Sequence, residues 1–480
     1  MHNTEGVEGA SVMGASGEAM EPTERRLPKR RSFLLGTLGT LGAGFLLPAL
    51  SGCAGTSMNT LKIAYQQWGS GRLLEDFLTK VSEQFRRSHP EIQIQLIPLV
   101  AAENDYFTKN ELMMSSESTT PDLVYEDTFI LKSDVAAGYL QPLNDRVQGW
   151  QPWGQIFDSA KAAVTGEDGK VYGVPTDTDT RALWYNSELL AKAGLPIPWQ
   201  PKDWQQLLAD LKTVHRMLPE VIPFNIFSGK AQGEKASMQG FEMLLYGTYS
   251  ALYDDETKKW MTGSQGFIDS LAFVQQIFAD KLGPALGQAF DVNLAETIYA
   301  DWLPNGKLAV ALDGCWISNN WTSGGAAEWP EWPTVMKQSK MPTQNGQAPG
   351  YTTLSGGWCW AIPARTKKSE LAWKYLQTLS TTENIMAYNI AENGVAVRKD
   401  VASRPEYRSY SPTVQFFTSL VEGATFRPAL APYPQISAAI QAAMEKVMVG
   451  GSTPEQAAKA YDQQLSDIVG AGHVAEAAGR

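Results

Sequence analysis

Between residues 61 and 140 the hydrophobic positions change period several times. "LKIAYQQW" (61–68) is a short apolar run that reads as a strand, turned by Gly69–Gly71. Leu73, Leu74, Phe77, Leu78, Val81 and Phe85 then recur at helical spacing until Pro90 stops them. "IQIQLIPL" (92–99) alternates with period two and predicts a second strand. Residues 102–118 read as a helix, "PDLVYED" (121–127) as a third strand, and a further helix runs through Leu140. This strand–helix alternation predicts a mostly parallel sheet covered by helices on both faces.

"GKVYGVPTDTDTRALWYN" (169–186) breaks the rhythm. It is a longer extended stretch with Pro175 and a polar centre, suited to leaving one lobe and entering another. Asp203 is placed to N-cap "WQQLLADLKTVHRML", with Gln206 closing a capping box. "IPFNIFSG" (222–229) is strand-like, and helices are expected around 234–252 and 265–281. "GKLAVALDGCWISNNW" (306–321) reads as strand, turn and helix start; "YTTLSGGWCWAIPA" (351–364) is another strand. Near the end Ile436, Ile440, Met444, Val447 and Met448 share one helical face, closed by Gly450-Gly451. Thr453-Pro454-Glu455-Gln456 opens the next helix with a capping box. No internal repeat stands out.

The first residues carry a different pattern. "KRRSFLLG" sets an arginine pair, Arg30-Arg31, before an apolar segment from Phe33 to Leu50 that glycines and Pro48 interrupt. A membrane-spanning helix wants about 20 apolar residues, so this suits a signal-peptide core. Leu50-Ser51-Gly52-Cys53 resembles a bacterial lipobox. In such signals cleavage precedes the cysteine and a diacylglyceryl group joins its thiol. Residues 1–52 are therefore expected to be an export signal, twin-arginine-like, with Cys53 the lipidated first mature residue and 53–60 a tether.

What remains is long enough for two lobes. The leader's acidic and basic residues balance, so the mature chain keeps the net charge of −11. That balance argues against nucleic acid and against anionic membrane surfaces as partners. Fifteen tryptophans and seventeen tyrosines are more informative. Many tryptophans sit beside glycine or polar residues, as in "QQWGSG", "DGCWISNNW" and "SGGWCW". Aromatic faces in loops suit the C–H faces of sugar rings. Cys315 and Cys359 are left after lipidation; an exported chain permits a disulfide between them, or two separate buried thiols.

Six short segments, in order, carry a resemblance: "PDLVYEDTF", "GVPTDTDTRALWYN", "LPNGKLAVALDGCW", "SGGWCWAIPARTKKSELAWKYL", "NGVAVRKDV" and "FRPALAPYPQI". From about residue 60 to 470 the chain resembles the bacterial extracellular solute-binding proteins that include the maltose- and trehalose-binding proteins. The resemblance implies an α/β, two-lobe periplasmic-binding-protein fold with a hinged interlobe cleft. It implies a first lobe of 58–177 and 314–379, a second of 178–313 and 380–470, and a tail of 471–480. It also implies a monomeric, lipid-anchored receptor that delivers a sugar to the permease of an ABC importer, with no cofactor and no metal.

A neutral sugar needs carboxylates, amides and arginines around its hydroxyls, at the C-terminal ends of strands where open α/β sheets place ligands. Gln67 and Trp68 end the first strand; Glu126 and Asp127 end the third. Asp177, Asp179 and Arg181 share one face of an extended crossing. The resemblance favours Asp127 and Asp179 as acidic contacts and Trp316 as the stacking aromatic, with Asp313 capping a turn. Gly356 and Gly357 with Trp358 allow close backbone approach to a hydroxyl. Arg398, Arg427 and Tyr433 sit in turns able to close over a ligand. The family's further aromatic in the last cleft helix falls near Ile440 here, without a counterpart.

Two other classes remain open at this level. Paired carboxylates also serve glycoside hydrolases, but the four histidines are dispersed and no G-x-S-x-G, H-E-x-x-H, P-loop or dinucleotide fingerprint is found. Arg181, Arg398 and Arg427 would suit a glycerophosphodiester or another phosphorylated solute.

Overall fold

The computed structural model describes residues 59–67, 71–101 and 103–477. The export signal, Cys53 and Trp68 lie outside them. Thr60–Gln67 and Gln93–Val100 pair in parallel over their full lengths, and Leu123–Asp127 pairs in parallel on the other side of the first strand. Helices Leu73–Ser88 and Glu103–Met114 make the two crossovers, as the periodicity predicts. Trp358–Ala361 then inserts antiparallel between Leu123–Asp127 and Gly173–Pro175, completing five strands.

The inner strands of this sheet are buried on both sides, whereas the edge strand Gln93–Val100 is largely exposed. Leu61, Ile63, Tyr65 and Tyr125 pack against Leu74, Phe77, Leu78 and Phe85 of the first helix. Ala64, Val124 and Cys359 face Leu131 and Met114 on the other. Each buried leucine or phenylalanine contributes about 1.5–3 kcal/mol against the entropy of ordering the chain.

The second sheet has four strands, in the order Met336–Ser339, Arg181–Asn186, Leu308–Gly314 and Ile222–Asn225. Only the last pair is parallel, so the expected mostly parallel character belongs to the first lobe. The reason is local. Arg181–Asn186 leaves the first lobe directly, with no crossover helix to set it parallel to a partner.

The division of the chain also differs in detail from the expected boundaries. Met336–Ser339 pairs in the second sheet. Helix Thr382–Ala391 packs on the first lobe, with Tyr388 against Phe77; its neighbour Ser369–Leu379 places Tyr375 Oη 2.9 Å from Ser82 Oγ. Near the C-terminus Val474–Glu476 pairs with the strand Lys259–Thr262.

Crossing segments run side by side between the lobes. Arg181 N–H donates to Thr353 Oγ1 at 2.9 Å, Thr178 N–H to Val395 O at 2.8 Å, and Leu354–Ser355 pairs with Thr425–Phe426. The strand expected over 351–364 is interrupted at Gly357, whose φ of +153° and a Cβ position only 2.6 Å from Asp177 O admit no side chain. Caps follow the sequence closely. Asp203 Oδ1 accepts Gln206 N–H at 2.8 Å; the Gln206 side chain reaches one residue further back than a capping box, to Lys202 N–H. At Thr453 the box is complete.

Cys315 and Cys359 are both free and buried, so of the two arrangements the sequence leaves open the structure has the separate thiols. Cys359 lies in the first sheet, pressed against Gly173. Cys315 packs with Ala182 and Trp321 in the second lobe. Each thiol is occupied by its own core.

Candidate functional site

A cavity of about 430 Å³ is lined by residues of both lobes. The first lobe brings Gln67 and Asp127 from the ends of parallel strands, where the sequence placed them. The crossing brings Asp177, Asp179 and Arg181. The second lobe brings two π-helical stretches, Lys235–Glu242 and Ile298–Trp302, and the 3₁₀ turn Cys315–Trp321. π-helical turns are rare and concentrate at functional sites.

Trp316 is fixed from several sides. The Arg181 guanidinium lies 4.9 Å from its ring centroid, a cation–π arrangement. The ring also lies against Gly314, where a Cβ would stand 1.9 Å from Trp316 Cζ3. Beneath the ring Tyr299 donates its hydroxyl to Asp313 Oδ2 at 2.8 Å. Arg181 is in turn held by an ion pair with Asp179 and by Leu354 O at 3.1 Å.

Arg427 ties the two lobes. Its Nη2 lies 2.5 Å from Asp127 Oδ1 of the first sheet and its Nη1 2.8 Å from Glu234 Oε1 of the second lobe. Glu234 also accepts from Tyr433 Oη at 2.9 Å and Ser437 Oγ at 2.6 Å. Burial pushes the Asp127 carboxyl up to about 6, against the pull of Arg427. Glu242, behind this network, is pushed up to about 8, first by burial and then by Glu234.

A third group fills the corner where crossing and first lobe meet. Asp177 Oδ1 accepts Thr176 Oγ1 at 2.8 Å, and Glu392 Oε2 accepts Asn319 Nδ2 at 3.1 Å. Burial raises both carboxyls, Glu392 to about 7 and Asp177 well above its ordinary value. Trp358 lines the same wall, with its ring stacked on Tyr125 at 4.7 Å and on Phe107 at 6.2 Å.

Several expected residues lie elsewhere. Glu126 points to the opposite face of its strand from Asp127, and there Asn110 Nδ2 donates to it at 3.1 Å, as side chains alternate along a strand. Arg398 is buried on Asp400, Ser380 O and Thr382, away from the cavity. Tyr433 is buried behind Glu234 and Glu242. Asp313 sits beneath Trp316, accepting Tyr299 and the Gly314 N–H. The Gly356 N–H is spent on Asp179 Oδ1 at 2.7 Å, and neither Gly356 nor Gly357 is part of the lining.

Other lining residues were not foreseen. Lys235 and Gln239 come from a π-helix that helical periodicity cannot distinguish from an α-helix, and Glu234 directly precedes it. Tyr388 and Glu392 lie four residues apart at the end of a helix; their signal was an aromatic and an acid on one helical face. Gln66 and Tyr65 precede the expected Gln67. All of these line the cavity. Among the described residues no group of three or more His, Cys, Asp or Glu side chains is arranged to hold a metal ion.

Two α/β lobes joined by adjacent crossings, with a cavity between them lined by charged groups and aromatic rings, are the architecture of a solute-binding protein. The chain belongs to the bacterial extracellular solute-binding protein family, whose pattern matches residues 71–386. That is a family of binding proteins, not of enzymes. A binding protein of Brucella abortus (strain 2308) is 23% identical over 87% of this chain and 94% of its own length. The maltodextrin-binding protein MdxE of Bacillus subtilis (strain 168) is 28% identical over 49% of this chain and 52% of its own. Among solved structures, a solute-binding protein of Thermotoga lettingae TMO bound with α-D-tagatose superposes with a TM-score of 0.74. It is 23% identical and covers 85% of this chain and 99% of that one. Maltose-bound MalE3 of T. maritima gives 0.72 at 21% identity, over 85% and 100%.

Proposed function

We propose that this protein is the receptor of an ABC importer and that its cavity captures a sugar, most simply a di- or short oligosaccharide such as maltose or trehalose. The observation that carries the reading is the convergence on one cavity of carboxylates, guanidinium groups and a braced indole: Asp127, Asp177, Asp179, Arg181, Arg427 and Trp316. Such groups answer hydroxyls, while Trp316 answers the C–H face of a ring. The names of MdxE and of the maltose-bound structure support the same ligand class. Phosphate is disfavoured as a ligand because Arg181 and Arg427 already have carboxylate partners in the cavity.

The mechanism proposed is hinge closure. Ligand favours the closed form only through interactions that the open form cannot make, and moving the balance from 1:99 to 99:1 takes about 5.5 kcal/mol. A few hydroxyl bonds and one stacked ring, at about 1 kcal/mol each, supply most of this. The closed outer surface would then meet the permease. We further propose that the chain is exported and anchored through a lipid on Cys53.

The test is a thermal-shift screen of mono-, di- and trisaccharides beside glycerophosphocholine, repeated with Trp316→Ala. A native-state ligand raises the melting point. The reading expects a saccharide to do so and the variant to lose the effect while staying folded. A shift with glycerophosphocholine alone overturns it.

A further inference from the structure

We propose that the ligand carries a protonated amine, received by Asp177 and Glu392. This rests on the reading of the cavity as a sugar site and narrows it to amino sugars.

The argument starts from which charges in the cavity are already answered. Arg181 answers Asp179. Arg427 answers both Asp127 and Glu234. Lys235, the third cation of the lining, has Asp313 as the charge acting on it. Asp177 and Glu392 differ. Glu392 meets the neutral Asn319 amide. Asp177 meets the Thr176 hydroxyl and the Trp358 backbone N–H, and its charged neighbours are Asp179 and Glu392, both acids. Among the described residues, the corner is thus built from acceptors with no cation paired to them.

The local fold keeps these groups in place. Asp177 leaves the strand Gly173–Pro175, and Gly394 closes over it: a Cβ there would stand 2.8 Å from Asp177 Oδ2. Glu392 follows directly on the helix Thr382–Ala391. One turn earlier Asn389 donates Nδ2 to Thr176 O at 3.0 Å, and its fully buried Oδ1 has no donor. Independent of the acids, the cavity lining also includes Gln66, completely buried with both amide atoms unpartnered, and Tyr65, buried with an unpartnered hydroxyl. Buried polar atoms without partners are rare in native structures, and here they mark a cavity made for a polar occupant.

A hydroxyl fits the corner less well than an ammonium. It donates one proton, so it leaves one carboxylate unanswered. An ammonium donates three and supplies the missing positive charge, which forms charge-assisted bonds. Neutral sugar would leave one or both carboxyls protonated. Ammonium would drive both to ionise, so an amine that enters already protonated releases protons on binding, one that enters as the free base takes its proton from a carboxyl, and the hydroxyl counterpart does neither.

The experiment compares matched pairs by calorimetry on the full chain near pH 7: β-1,4-linked diglucosamine with cellobiose and with its N,N′-diacetyl form, and 2-amino-trehalose with trehalose. In at least one pair the amine should bind about tenfold tighter than its neutral partner, the advantage of a charge-assisted over a neutral hydrogen bond. Its heat should vary with the buffer's ionisation enthalpy, showing proton release. Asp177→Asn and Glu392→Gln should each abolish the preference, with melting curves confirming a folded protein. If the neutral members bind as tightly as the amines, the amine inference is wrong and the sugar reading stands. If no saccharide of either kind binds, in these pairs or in the wider screen, the sugar reading falls with it.

Discussion

Replacing Arg427 with methionine probes the closed form most directly. Methionine preserves much of the side chain's length and apolar contact with Phe129, whose ring lies 4.7 Å from the guanidinium. Glu234 belongs to the same lobe as the helix Tyr433–Met448 that Arg427 leads into, so that ion pair survives opening. The bond to Asp127 does not. What closure loses is therefore one charge-assisted hydrogen bond, worth about 1.5–3 kcal/mol. Part of the loss is recoverable, because Asp127 already holds its proton up to about 6. Neutralising a carboxyl one unit above its pKa costs only about 1.4 kcal/mol. At pH 7–8 we expect about 2–3 kcal/mol less closing free energy, which weakens ligand binding about 30- to 150-fold. Small-angle scattering should show a more open ligand-free average, and calorimetry a smaller deficit at pH 5 than at pH 8. Asp127→Asn should be non-additive with Arg427→Met, as expected for direct partners. Affinity within threefold of wild type, with unchanged scattering, would refute the cross-lobe role.

Two more outcomes follow from the same geometry. Asp127, Glu392 and Glu242 have folded pKa values raised by burial to about 6, 7 and 8 from ordinary values of 3.8, 4.5 and 4.5. The native state then holds protons that the unfolded chain has lost, so the stability these three groups contribute is full below about pH 4 and is lost as pH rises to about 8. Melting temperatures of the ligand-free protein at constant ionic strength check this, and a rise across that window contradicts it. Gly314→Ala places a methyl in the space of the Trp316 ring. Overpacking of this kind costs about 1–3 kcal/mol and should weaken sugar binding through ring displacement. Near-UV circular dichroism reports the movement, and an unaltered spectrum with full affinity would show that Trp316 does not depend on that glycine.

The legible parts of the fold were those with strong local periodicity. Helix Leu73–Ser88 and its flanking strands follow directly from Leu74, Phe77, Leu78, Val81 and Phe85. Long-range order was less visible. Nothing local in "WCWA" says that Trp358–Ala361 is inserted between two earlier strands, or that Met336–Ser339 pairs in the other sheet. The candidate site divides the same way. Asp127, Asp177, Asp179 and Arg181 were legible because each ends a strand or lies in an extended crossing, whereas Trp316, in the turn after a strand, was legible only through the family resemblance. Arg398 and Tyr433 were misplaced because a buried polar side chain and a ligand contact look alike in sequence; only their partners, Asp400 and the Glu234–Glu242 pair, distinguish them. The sequence left open whether Cys315 and Cys359 pair, because nothing local to their aromatic-rich motifs shows that they belong to separate cores.

The insertion of Trp358–Ala361 has a consequence for how the molecule is made. During synthesis the amino-terminal sheet remains divided until three-quarters of the polypeptide has emerged, since its missing member is then supplied from far downstream. Neither half can be expressed as one uninterrupted fragment: splicing or circular permutation would be required to isolate either. Maturation of both halves is accordingly a joint event, completed late, and a ribosome that stalls before Trp358 releases a chain with an open sheet edge.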